Sequence, residues 1–99
     1  MSNSFMFESY NPVIICKDGF EISVQARRGS YSRRDTGGNL LTVECGFPST
    51  TPKTAELRNY AENFDNVGYT ETVYPYTPVE VVQAELDAHG GIHDGCLPS

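Results

Sequence analysis

The chain has 99 residues, with seven basic and 13 acidic side chains and a formal net charge of -6 at pH 7. That length fits one domain, residues 1–99, able to bury a core without disulfides or metals, and the 38% hydrophobic content is globular rather than disordered. No run approaches the roughly 18 apolar residues of a membrane span, and the N-terminus lacks the basic head and apolar stretch of a signal peptide, so a cytoplasmic protein without membrane contact is expected.

Residues Val13-Ile14-Ile15-Cys16 form a short apolar run that ends at Lys17-Asp18-Gly19. Asp-Gly between two such runs is a hairpin signal, because both residues tolerate positive φ. Phe20, Ile22, Val24 and Ala26 then alternate with Glu21, Ser23, Gln25 and Arg27, the period of a strand with one buried face. A hairpin over about residues 12–27 follows. Leu40 to Cys45 reads as a third strand, stopped by Gly46-Phe47-Pro48-Ser49. Thr51 is placed to cap a short helix with Pro52 at its first position and Ala55, Leu57, Tyr60 and Ala61 along it, although a loop fits nearly as well. Asn63 to Gly68 is a loop by composition.

Tyr69 to Tyr76 is rich in aromatic and β-branched residues and reads as a fourth strand, which Pro75 confines to an edge or to the exit from the sheet. Thr77-Pro78-Val79-Glu80 has the form of a capping box. The helix it opens carries Val79, Val82 and Leu86 on one stripe and ends at Gly90-Gly91. Residues from His93 onward read as a loosely held tail. The expected fold is therefore α+β: an antiparallel sheet of about four strands with one main C-terminal helix packed on one face, and an ordered core over about residues 12–92.

Cys16, Cys45 and Cys96 are too few and too odd in number for a disulfide framework, and the first two sit in strand-like runs as small hydrophobes. His89, His93 and Cys96, with Asp87 and Asp94 nearby, straddle a helix end and offer neither CxxC nor a helical HxxxH. No metal and no cofactor are expected. Glycine-rich nucleotide loops and nucleophile elbows are absent from the sequence, so nothing points to catalysis.

The charge is unevenly spread. Lys17 to Arg34 carries a local +3, whereas Asp35 to Ser99 carries -8. Within the basic part, Arg27-Arg28-Gly29-Ser30-Tyr31-Ser32-Arg33-Arg34 holds four of the seven cations. Arg27, Arg28, Arg33 and Arg34 offer planar forks for a phosphate or carboxylate, with Ser30 and Ser32 as added donors. Tyr31 suits stacking or insertion into a partner, and Arg and Tyr are residue types that dominate interface energetics. The competing reading is a solvated loop whose arginines pair with the acidic remainder. In the second half, Glu62, Asp65, Tyr69, Glu71, Tyr74 and Tyr76 form a candidate acidic recognition face, tyrosine supplying contact area at low entropic cost. An acidic body disfavours nonspecific nucleic-acid binding and suits a partner protein with a basic surface.

The words CKDGFEISVQA, TVECGFPS and VYPYTPVEVVQAELDAHGGI, in that order around an arginine loop, resemble small accessory proteins of tailed bacteriophages over about residues 13–92. The resemblance implies a setting in the host cytoplasm. Small acidic phage proteins of this kind often inhibit bacterial immunity, by occluding a nucleic-acid-binding or active surface or by sequestering a nucleotide signal. A stoichiometric inhibitor of a defence protein is therefore the leading expectation. A sponge for a phosphorylated small ligand is the second, and a structural or assembly component in contact with copies of itself is the third.

Overall fold

The computed structural model describes residues 11–26, 31–62 and 68–99. Its elements are β1 (Ile14–Cys16), β2 (Glu21–Gln25), β3 (Arg33–Arg34), β4 (Leu40–Gly46), α1 (Ala55–Arg58), β5 (Val73–Pro78), α2 (Val79–Ala88) and β6 (Ile92–Asp94).

The expected hairpin is present. Ile14 opposes Ile22 and Ile15 opposes Glu21, and the turn closes through Cys16 N–H to the Phe20 carbonyl at 2.8 Å and Gly19 N–H to the Cys16 carbonyl at 2.9 Å. Gly19 takes φ 95°, the left-handed position that a three-residue hairpin loop requires. Alternation then sends Ile14 and Cys16 on β1, and Ile22 and Val24 on β2, into the core.

β4 is the hub of the sheet. Along one edge it carries β5. Along the other, β2 pairs with Glu44, Cys45 and Gly46 while β3 pairs with Leu40 and Thr42. Between the rungs Gln25–Glu44 and Arg33–Thr42, β4 advances by two residues and the opposite side by eight. β2 and β3 thus lie end to end on the same edge of β4, with the arginine-rich sequence between them.

Among the described residues the antiparallel sheet has six strands rather than about four. The two additions, β3 and β6, are only two and three residues long. Neither carries an alternating apolar pattern: β3 forms on an edge of the longer β4, and β6 pairs with β1, itself three residues long. His93 and Asp94, expected in a loosely held tail, instead join Ile92 in a strand paired with β1. Asn11 adds a clasp beyond them: its side-chain amide donates to the Cys96 carbonyl at 2.8 Å, and its backbone exchanges two bonds with the Gln25 side chain.

β5 differs from expectation in its bounds and in a bulge. Val43 opposes Thr77 and Cys45 opposes Tyr74, so Pro75 and Tyr76 together face the single residue Glu44. The extra residue bends the strand and puts Tyr76 at φ 51°. It also lets Tyr74 and Thr77, three apart, both point inward with no exposed surface. The capping box does not form. Thr77 belongs to β5, and its hydroxyl donates to the Tyr74 carbonyl at 2.9 Å, while Pro78 is the N-cap of α2 without a side-chain cap bond. The short helix α1 is capped by Thr54, not Thr51.

One apolar cluster unites Ile14, Cys16, Phe20, Ile22, Val24, Val43, Cys45 and Tyr74 of the sheet region with Leu57 of α1 and Val82 and Leu86 of α2. Cys16 and Cys45 are buried free thiols. Burial pushes both thiols up from their ordinary value, as suits packing atoms rather than nucleophiles. No helix among the described residues is long and apolar enough to cross a membrane.

A Cβ added at Gly19 meets nothing within 4 Å, so only the backbone conformation opposes a side chain there. Gly19→Ala is expected to lower unfolding free energy by about 1–2 kcal/mol, measured by urea denaturation with an unchanged m-value.

Candidate functional site

Arg27, Arg28 and Ser30 of the expected arginine site, and Asp65 of the expected acidic face, lie outside the described residues. The remaining candidates regroup in an unexpected way. Tyr31 reaches from the β2–β3 edge across β4 to the β5 bulge. Its amide donates to the Glu44 carboxylate at 3.0 Å, and its carbonyl accepts the Tyr76 N–H at 3.0 Å. Glu44 points away from Val43 and Cys45 by strand alternation, so this bridge crosses the sheet on the face opposite the core.

The Tyr31 and Tyr76 rings then stand 5.6 Å apart at an interplanar angle of 42°. Cζ of Arg33 sits 5.0 Å from the centroid of Tyr76, within cation–π range. All three side chains are exposed. Two segments read separately in the sequence, one basic and one acidic and tyrosine-bearing, thus meet in one ledge. Tyr76's left-handed backbone is part of the same construction, because the bulge that produces it also brings its N–H to Tyr31.

Arg34 is held differently. Its guanidinium donates to the Gly38 carbonyl at 3.0 Å and to a Ser99 oxygen at 2.9 Å. Arg33 makes no side-chain hydrogen bond among the described residues, only its contact with the Tyr76 ring. The described ion pairs involve Lys53, His89, Asp18 and Glu85, not these arginines. Ser32 is half-buried.

Of the expected acidic face, Tyr74 is not at the surface. Glu62 and Glu71 are exposed and near each other in the chain path, since Glu62 N–H donates to the Val73 carbonyl at 3.0 Å and the Thr72 hydroxyl donates to the Glu62 carbonyl. Tyr69 is half-buried, its carbonyl accepting the Tyr74 hydroxyl at 2.5 Å. Tyr74 itself is fully buried and cannot belong to a recognition surface: the bulge turns its ring into the core. Burial pushes its phenol up from the ordinary value.

A second constellation was not visible as a site in the sequence. Glu85 of α2 has no exposed surface. Its carboxylate accepts the Lys53 N–H at 2.7 Å, the Thr54 N–H at 2.9 Å and the Thr54 hydroxyl at 2.7 Å, and a His89 ring nitrogen stands 2.8 Å away. The other nitrogen of His89 is 2.7 Å from Asp18 in the hairpin turn. Phe20 stacks on the imidazole, with centroids 3.8 Å apart and planes within 6°. Lys53 closes the group, 3.6 Å from Asp18 and 3.2 Å from the Ala88 carbonyl at the C-terminus of α2.

A cleft of about 260 Å³ opens beside this group, lined by Asp18, Gly19, Phe20, Ser49, Thr50, Lys53 and His89. The geometry spends both imidazole nitrogens inside the fold. Among the described residues no group of three or more His, Cys, Asp or Glu side chains is arranged to hold a metal ion. His89 is 3% exposed. The spacing held one clue: Glu85 and His89 continue the stripe of Val82 and Leu86, so a carboxylate and an imidazole fall on the buried side of the helix.

Comparison of the chain with protein-family models, with curated proteins and with solved structures finds no match.

The Phe20 amide and the His89 ring hold the Asp18 carboxyl below its ordinary range. Burial pushes Glu85 up, but the Thr54 hydroxyl and amide, the Lys53 amide and His89 outweigh it and leave the group lowered. A depressed folded value stabilises the fold above the ordinary carboxylate range, near 4, and that contribution is lost as pH falls through the folded values. Glu85→Ala is expected to cost about 3 kcal/mol at neutral pH, since it strands His89 and the amides of Lys53 and Thr54. It should also flatten the loss of stability below about pH 4 relative to the parent chain. Urea unfolding at a series of pH values measures both effects.

Proposed function

We propose that the protein is a stoichiometric binding module whose contact surface is the ledge of Tyr31, Arg33 and Tyr76. The observation that carries this reading is the convergence of the three exposed side chains from β5 and the arginine segment, fixed by the Glu44–Tyr31 and Tyr31–Tyr76 bonds. Aromatic residues and arginine on a rigid support are what an interface centre needs. A non-glycine residue in left-handed backbone at the ledge fits the tendency of strained residues to gather at functional sites. The net charge of -6 favours approach to a basic surface by electrostatic steering. Together with the phage-like layout, this makes a host defence protein the target, inhibited by occlusion of its nucleic-acid-binding or active surface.

Immobilised protein is expected to retain a bacterial partner from lysate, and Tyr31→Ala or Tyr76→Ala to weaken the purified complex by about tenfold or more, ~1.4 kcal/mol. Retention of no partner, or a complex indifferent to both substitutions, would count against the reading.

The donors of Arg33, without an acceptor among the described residues, also favour a second reading, a phosphorylated small ligand clamped by the arginine segment. A nucleotide at about 100 times its Kd would then raise unfolding free energy by ~2.7 kcal/mol. A thermal-shift panel of mono-, di- and cyclic nucleotides measures this, and a flat panel removes the reading.

A further inference from the structure

We infer that Arg33 is the receptor for a single carboxylate on the partner, an Asp or Glu side chain whose neighbouring aromatic or aliphatic residue lies against Tyr31 and Tyr76. The inference rests on the binding-module reading and adds the chemistry of what the ledge takes. Arg33 is exposed on β3, with its guanidinium carbon 5.0 Å from the Tyr76 centroid. Ring contact uses the flat face of a guanidinium and leaves its in-plane N–H groups to bond outward, two of them matching the two oxygens of a carboxylate. Among the described residues none of these donors has an acceptor. In the bound state they would find one that water otherwise supplies, in a place where the flanking rings exclude water.

The charge count favours carboxylate over phosphate. Arg34, next in sequence, already donates to Gly38 and Ser99, so of the two arginines described there only Arg33 offers an open fork. A phosphate monoester carries about 1.5–2 negative charges near neutral pH and would meet the Glu44 carboxylate held against the Tyr31 amide and a chain of net charge -6. A monoanion meets less of that repulsion and uses the fork fully. The two rings lie 5.6 Å apart and tilted by 42°, which leaves apolar area beside the fork for one adjoining side chain. The partner surface is therefore mixed: basic overall, as the body charge favours, with one acidic residue at the centre of contact.

The test is to pan a random displayed peptide library against the full chain and then to measure Kd for the enriched peptides made synthetically. Enrichment of sequences with Asp or Glu beside an aromatic or large aliphatic residue is expected. Those peptides should lose about tenfold or more in affinity against Arg33→Ala and also against Arg33→Lys, which keeps the charge but not the fork. Replacing the peptide's Asp or Glu by Asn or Gln should cost a similar factor, and cost nothing further on Arg33→Ala. Unchanged thermal unfolding of the Arg33 variants shows that the fold is intact, as the side chain's exposure leads one to expect. Enriched peptides that are basic, bind regardless of Arg33 and yet lose affinity with Tyr31→Ala would overturn the carboxylate assignment and leave the module standing. Displacement of an enriched peptide by inorganic phosphate more readily than by acetate would overturn it in favour of the phosphate reading. Failure to enrich any peptide sensitive to Tyr31, Arg33 or Tyr76 would overturn both.

Discussion

A carboxylate with no exposed surface, that of Glu85, ties three distant parts of this chain together. Desolvating a charge costs several kcal/mol unless its oxygens are well paired, and here four donors or partners converge on it from Lys53, Thr54 and His89. The consequence is architectural. Segment 53–54 must lie against α2, which sets the start of α1 and with it the placement of Leu57 in the core. His89 passes the constraint on to Asp18 in the first hairpin turn, so the helix end, the turn and the α1 cap are positioned as a unit. The backbone bond from Lys17 N–H to the Gly91 carbonyl at 3.0 Å continues the same seam toward the pairing of β6 with β1.

The opposite side of the molecule depends on a backbone irregularity instead. Two residues of β5 facing Glu44 bend the edge strand, turn Tyr74 and Thr77 into the core and leave Tyr76 outside. Glu44, half-buried on the outer face, then fixes Tyr31 over the sheet. The ledge therefore sits on β4 and β5, whose pairing forms the most extensive strand contact in the sheet, and not on the arginine segment alone. In the proposed contact that support lowers the entropy lost, because residues held before binding lose less of it on binding.

Charge is divided between the two sites according to solvent. Where water is excluded, Glu85 and His89 are paired and hydrogen-bonded. Where water is present, Arg33 has donors without an acceptor among the described residues, and Arg34 donates to the Gly38 carbonyl and to a Ser99 oxygen. The exposed pair of Lys53 and Asp18 at 3.6 Å contributes little, as surface pairs do. Arg33 and Arg34 thus make no ion pair with the acidic remainder among the described residues, whereas the buried Glu85 is satisfied by donors from other segments.

By itself the sequence determined whatever depends on neighbours along the chain. Asp18-Gly19 with flanking alternation specified the first hairpin, the run Leu40 to Cys45 the central strand, Val82 and Leu86 the helix stripe, and Gly90-Gly91 its end, because period and turn chemistry are local properties. It also singled out Tyr31, Arg33 and Tyr76 as recognition residues without showing that they meet. Only the tertiary structure decided the rest. The strands β3 and β6 exist through edges lent by β4 and β1. The bulge reverses the facing of Tyr74 and takes Thr77 from the helix cap into the sheet. Glu85 and His89 become a buried pair because Lys53, Thr54 and Asp18 arrive from elsewhere to satisfy them. Each of these rests on hydrogen bonds between residues far apart in the chain, and neither residue type nor spacing reveals which distant donor a given acceptor will meet.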